Sequence, residues 1–166
     1  MRAMMLSAIT DLDRNPAPLL LVDLDKPKPA AGEVLVAVSV CGVCHTELDE
    51  IEGRTPPPEL PVIPGHEIVG NVVELGPDCR ERKVGERVGI GWIYSSTGGD
   101  QENLSEAFKA TGRDANGGYA EFVAVPESYA LPLPDEFSDA EAAPLLCAGG
   151  VGYRSLRLAN IENGQV

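Results

Sequence analysis

The sequence predicts a mainly β fold with a few short helices, built as a barrel or a sandwich. Three observations predict it. Apolar runs of strand length recur along the chain. The 18 Gly and 14 Pro lie between these runs and are spread through the sequence, as turns between short strands require. Helical signals are few and brief.

The elements follow in order. Residues 1–9 are apolar, but Thr10-Asp11 follows at once, so the segment reads as a first strand of a cytoplasmic protein and not as a signal peptide. Residues 34–40 are too apolar for a half-exposed strand and are expected to be buried on both faces. Residues 47–51 form a short helix stopped by Gly53. Strands are expected over 68–75 and 87–93, set off by Gly76-Pro77-Asp78 and Lys83-Val84-Gly85-Glu86. Residues 100–113 are polar and irregular and are placed on the surface. A strand over 119–125 follows the turn formers Asn116-Gly117-Gly118. Ser138-Asp139-Ala140-Glu141 is a capping box, and Pro144 must bend or end the helix it opens. Residues 154–158 supply another helical turn or two, and Tyr153 is expected to pack.

Composition narrows the function. A chain of 166 residues, 43% of them apolar, suits one domain with a real core. The formal net charge of −13 excludes the Lys/Arg-driven partners, nucleic acid and anionic membrane surfaces. No apolar run approaches a membrane span. The cysteines are Cys41, Cys44, Cys79 and Cys147. They suit a disulfide framework if the chain is secreted, or reduced thiols, some of them metal ligands, if it is cytosolic; the second reading is preferred.

Both histidines sit in dense motifs. The motifs are Cys41-Gly42-Val43-Cys44-His45-Thr46-Glu47-Leu48, then Pro64-Gly65-His66-Glu67-Ile68-Val69-Gly70, then Leu145-Leu146-Cys147-Ala148-Gly149-Gly150. There is no second Cys-x-x-Cys, so a closed four-cysteine site cannot be built from pairs. A catalytic zinc needs three protein ligands and an open position, which Cys44, His66 and Cys147 would supply if the fold joined them. Spacing alone leaves the alternative of buried structural cysteines and a hydrogen-bonded histidine.

These three segments, in this order, resemble the zinc-dependent medium-chain alcohol dehydrogenases. Gly65-His66-Glu67-Ile68-Val69-Gly70 with Gly76 and Cys79 matches that family's zinc signature, and the likeness runs over nearly the whole chain. The resemblance implies a GroES-like, partly open β-barrel over residues 1–158. It implies that 159–166 begin the connection to a dinucleotide-binding domain whose Gly-x-Gly-x-x-Gly turn is absent from this sequence. It implies one catalytic zinc on Cys44, His66 and Cys147, with Glu67 beside the metal or ligating it transiently. Cys41 and Cys79 are packing residues in this pattern. The other cofactor is NAD or NADP and the substrate a small alcohol or aldehyde, with a homo-oligomer left open for the complete enzyme. Thr46 is similar to the family's proton-relay hydroxyl, with helix capping as its bland alternative. His45 is similar to the residue at the cofactor pyrophosphate, and Trp92 to an aromatic wall of the substrate pocket.

The pattern departs from the family in several places. Asp49 stands where a relay His is common; a carboxylate can still pass a proton, from a much lower pKa. Glu47 replaces an Asp, and Val151 a Thr near the nicotinamide. The lobe over 95–105 has no cysteine where many relatives hold a structural zinc, so a single zinc is expected. Two other function classes compete: a non-enzymatic zinc-binding or scaffold module, and a co-chaperone-like interaction protein. The complete ligand set favours the dehydrogenase, which this chain alone is expected to perform poorly.

Overall fold

A computed structural model describes residues 1–99, 101–161 and 164. Asp100 of the expected surface loop, and 162, 163, 165 and 166 of the expected connection, lie outside the described residues.

The core is a five-stranded antiparallel sheet. Its strands are β3 (Glu33–Cys41), β4 (Ile68–Leu75), β5 (Arg87–Ile90), β8 (Phe122–Pro126) and β9 (Leu131–Pro132), in the order β8-β3-β4-β5-β9. A hairpin of β1 (Arg2–Leu6) and β2 (Leu19–Asp23) lies beside it, joined to residue 120 by a bridge from Ala3. A third small sheet pairs β6 (Ile93–Ser95) with β7 (Lys109–Ala110). The sheets are open, and the architecture is mainly β with short helices, as the sequence implied. Among the described residues three short α-helices complete it: α1 (His45–Ile51), α2 (Asp139–Ala142) and α3 (Ala148–Leu158). No described helix is long and apolar enough to cross a membrane.

β-Branched residues fill the sheet's inner face. Val34, Val36, Ile68, Val72, Val88, Ile90, Val123 and Val125 form one buried cluster. Each such side chain stabilises the fold by about 1.5–3 kcal/mol through burial. Gly70 interrupts β4 because a Cβ there would strike the Ala37 carbonyl of β3.

Several expectations need correction. Only Val34, Leu35 and Val36 of the 34–40 run are buried on both faces; Ser39 is exposed. The strand expected over 87–93 breaks after Ile90, because Gly91 lies against the Leu146 carbonyl and the chain then leaves the sheet to pair with β7. The 119–125 strand begins at Phe122, since Tyr119 bonds the β1 edge instead, taking up Met4 N at 2.7 Å. In the surface loop, Ala110 and Thr111 are buried. The last helix starts at Ala148, not 154, and Tyr153 on it is 64% exposed rather than packed. The Ser138–Glu141 capping box forms, with Glu141 Oε2 accepting from Ser138 N at 2.9 Å.

Candidate metal centre

Two loops and one helix start build the centre. The first loop leaves β3 and enters α1 at Cys44, whose extended backbone makes it the N-cap. This corrects the capping role offered for Thr46, which lies within the first turn. Glu47, at the third helical position, accepts from Cys44 N through Oε2 at 2.8 Å. That bond satisfies one of the cap's backbone donors and fixes where the Cys44 thiol sits.

The second loop, 64–67, is wholly buried. Gly65 takes φ +99, and a Cβ there would strike the Tyr119 ring and Cys41 Sγ, so only glycine lets the loop turn here. Backbone bonds clamp the turn: Gly118 N donates to Gly65 O at 2.9 Å, Tyr119 N to Pro64 O at 3.0 Å, and Gly42 N to Glu67 O at 2.9 Å. The third contribution, Cys147, stands between the 3₁₀ turn at Ala143–Leu146 and α3.

These elements bring Cys44, His66, Glu67 and Cys147 together, with one ligand atom of each within 4.8 Å of the others. The two thiol sulfurs are 3.9 Å apart, and both cysteines are free thiols. Two sulfurs each about 2.3 Å from a tetrahedral zinc would stand about 3.8 Å apart. His66 turns Nδ1 to Glu47 Oε1 at 2.7 Å, which leaves Nε2 as the ring nitrogen available to a metal. A buried carboxylate holding the far nitrogen of a ligating histidine fixes its tautomer and orientation. The donor set therefore fits a zinc ion in number, type and spacing.

The electrostatics of the cluster follow from burial and mutual charge. Burial pushes the Cys44 thiol up, but hydrogen bonds from Thr46, His66 and Cys147 outweigh it and hold its pKa below the usual thiol value. Thr46 Oγ1 lies 3.4 Å from Cys44 Sγ. Burial, reinforced by the Cys44 charge, pushes Cys147 up to about 12. Burial lowers His66, yet its bond to Glu47 prevails and raises it to about 9. Glu67 is 4% exposed, which rules out a plain surface residue, and burial raises its pKa. Its carboxylate lies over Gly42, where any Cβ would collide with Oε2.

The remaining residues singled out in the sequence lie around this cluster. Thr46 is half-buried. The Asp49 carboxylate pairs with the Arg54 guanidinium and stands 3.7 Å from His45 Nε2. His45 is exposed, with 77% of its side chain accessible. Trp92 is 39% exposed, packs against Phe108 with the rings tilted by 52° and their centroids 5.2 Å apart, and lines a cavity of about 590 Å³ that Leu146 also borders. Cys41 ends β3 and, with Cys79, packs against the core cluster; Cys79 Sγ also donates to Glu33 O at 3.0 Å. Burial pushes the Cys41 thiol up to about 12.

Glu50 was missed in the sequence. It is 2% exposed, like Glu47 one turn before it, and its Oε2 has no hydrogen-bond partner. Burial first, then the Glu47 charge, pushes its pKa up to about 7. The i, i+3 spacing of two acids on one helix was the available signal.

Comparison with known proteins agrees with this picture. Residues 30–135 match the alcohol dehydrogenase GroES-like domain family. An alcohol dehydrogenase of Geobacillus stearothermophilus is 43% identical over 89% of this chain and 46% of its own length. An NAD-dependent alcohol dehydrogenase of Sulfolobus acidocaldarius is 40% identical over 87% of this chain and 45% of its own. Among solved structures, CAD of Helicobacter pylori, complexed with NADP(H), superposes with a TM-score of 0.81 at 25% identity, covering 99% of this chain and 51% of that one. The chain thus spans about half the length of the relatives it matches. The chain belongs to the zinc-type medium-chain alcohol dehydrogenase family and forms its N-terminal GroES-like domain.

Proposed function

We propose that this chain is the zinc-bearing half of an alcohol dehydrogenase that converts a small alcohol to an aldehyde or ketone with NAD or NADP. The observation that carries the reading is the convergence of Cys44, His66 and Cys147, with Glu67 beside them, from three distant segments. Residues 1–158 would form this half, and 159–166 would lead to a dinucleotide-binding domain; relatives about twice as long support that division. Bound zinc would supply a Lewis acid that lowers the pKa of an alcohol oxygen, and the nicotinamide a hydride acceptor.

The chain's own residues do the rest. Cys44, His66 and Cys147 hold the metal, and Glu47 keeps His66 turned with Nε2 inward. Glu67 orients the site from over Gly42. The Thr46 hydroxyl both donates and accepts, so it passes the alcohol's proton outward. Asp49 sits farther out on α1, with its charge offset by Arg54, and receives the proton near solvent. Trp92 walls the substrate, and exposed His45 meets the cofactor's phosphates.

Metal analysis tests the reading. The purified chain should hold about one zinc, and Cys147→Ser should lose most of it; unchanged zinc in that variant sinks the assignment. The 166-residue chain by itself should turn over alcohols very slowly, since holding the nicotinamide against the reacting carbon is worth roughly 7–11 kcal/mol. Turnover should appear when a dinucleotide-binding domain is supplied.

A further inference from the structure

The cavity of about 590 Å³ that Trp92 lines holds a charge that none of the roles above uses. Glu102 is its one charged wall residue among those described; no Lys, Arg or His borders it. Glu102 is half-buried and enters no ion pair among the described residues. Two observations tie the cavity to the metal centre. Leu146 borders it and directly precedes Cys147. Gly91, beside Trp92 on the same wall, lies against the Leu146 carbonyl, which a Cβ there would approach to 2.9 Å.

Glu102 is held in one pose by two hydroxyls on the same wall. Its Oε2 accepts from Ser96 Oγ at 2.9 Å and from Tyr129 OH at 3.1 Å. The two hydroxyl oxygens are themselves 2.7 Å apart, and Ser96 Oγ also accepts from Gly98 N at 3.0 Å. Each hydroxyl carries one proton, and both protons are used inside this cluster. What the cluster still offers is acceptor capacity only. Tyr129 OH keeps a lone pair, and no donor among the described residues reaches Glu102 Oε1.

We propose that this cavity receives the far end of the substrate, and that the substrate is an amino alcohol whose ammonium group is bound by Glu102 and Tyr129. The proposal rests on the dehydrogenase reading above. An ammonium brings three donors and no acceptor, which complements a wall that offers acceptors and a negative charge. Trp92 adds to the preference, because an indole ring attracts a nearby cation. Leu131 and Leu146 give the carbon chain an apolar wall. A substrate ending in a methyl group would take water from the Glu102 carboxylate and return no partner, and one ending in a carboxylate would be repelled. The pose of Glu102 is set before binding, so little order is lost when the ammonium arrives. The chain's net charge of −13 attracts any cation at long range. Beyond about 8–10 Å that attraction is largely screened, so the local carboxylate decides.

Calorimetric titration of the zinc-loaded chain tests this, with aminobutanol, aminohexanol and aminooctanol against the plain alcohols of the same lengths. At the best chain length the amino alcohol should bind on the order of tenfold more tightly, as one charge-assisted contact allows. Glu102→Gln keeps an oxygen for Ser96 and Tyr129 and removes only the charge. It should bring the paired probes to the same affinity and leave the plain alcohols unchanged. Hexylamine, which lacks the hydroxyl, should bind more weakly than aminohexanol. Equal binding of the paired probes at every length overturns the proposal and leaves the dehydrogenase reading standing. A preference that persists in Glu102→Gln also overturns it, since the amine then sits elsewhere, including on the metal. So does an equal loss of both probes in that variant, which makes Glu102 a brace of the cavity. Hexylamine binding as tightly as aminohexanol would separate the cavity from the metal and overturn the substrate assignment. A chain without zinc defeats the underlying reading and this proposal with it, and no binding of any probe to the zinc-loaded chain defeats this proposal alone.

Discussion

The metal centre and helix α3 handle polarity in opposite ways. Around the centre polar groups are buried: Glu47, Glu50 and His66 are each 2% exposed. Along α3 apolar groups face water: Val151, Tyr153, Leu156 and Leu158 are all more than half exposed, and the helix buries no residue. Burying a charge is expensive unless it is paired, so the first arrangement persists only because Glu47 spends one oxygen on His66 and the other on Cys44 N. The second leaves apolar side chains in water on more than one side of the helix, which a partner would cover. The difference teaches where each region gets its order. The centre is locked by its own sheet and loops. Helix α3 draws little from this domain, and the reading of the chain as half of a dehydrogenase gives its exposed apolar side chains a partner.

The largest expected effect breaks the buried side of this contrast. Glu47→Ala leaves His66 without its carboxylate and removes the α1 cap bond. In the metal-free chain it should cost about 3–5 kcal/mol of unfolding free energy, measured in urea. The pH dependence has a definite sign. The folded His66 pKa, about 9, lies above its unfolded value. The stabilisation from the pair is therefore complete below about pH 6.5 and lost as pH rises through about 9. The cost of Glu47→Ala should shrink over that range; a constant cost would mean the imidazole does not carry the pairing.

Glu50 sharpens the comparison from the other side, because it is buried with one oxygen unpaired. Its folded pKa of about 7 lies above the unfolded value of about 4.5. Its burial penalty is absent below about pH 4.5, grows up to about pH 7 and is constant above. Glu50→Gln should therefore stabilise the metal-free chain at pH 8 by on the order of 1–3 kcal/mol and change little at pH 4. Thermal melts at the two values check this. Destabilisation at pH 8 would show that the ionised carboxylate has a partner worth keeping.

The smallest effect belongs to α3. A Cβ at Gly152 meets nothing within 4 Å, and the position is exposed. Gly152→Ala should stabilise that helix by about 0.5–1 kcal/mol through propensity alone. Amide exchange in α3 should slow while zinc content stays the same. A change in zinc content would couple the helix to the centre and erase the contrast.

The sequence made some of this legible and hid the rest for physical reasons. Strand β4 reads directly, because a β-branched run ends in Gly76-Pro77-Asp78, and Asp78 takes a positive φ there. Strand β2 was not anticipated: Leu19-Leu20-Leu21-Val22 lacks alternation, and two of its leucines are more than half exposed. Helix α3 was cut short because Gly149, Gly150 and Gly152 lower helix propensity across its first turn and a half. The three ligand segments stood out by composition, but their convergence is a property of the sheet, which no spacing encodes. Glu50 was passed over because a buried charge looks like a surface one until the fold encloses it.

X-ray absorption at the zinc edge of the metal-loaded chain tests the central claim most directly. The account predicts one zinc with two sulfur ligands at about 2.3 Å and nitrogen or oxygen ligands at about 2.0–2.2 Å, with one sulfur lost in Cys147→Ser. Four sulfur ligands, or none, would contradict it.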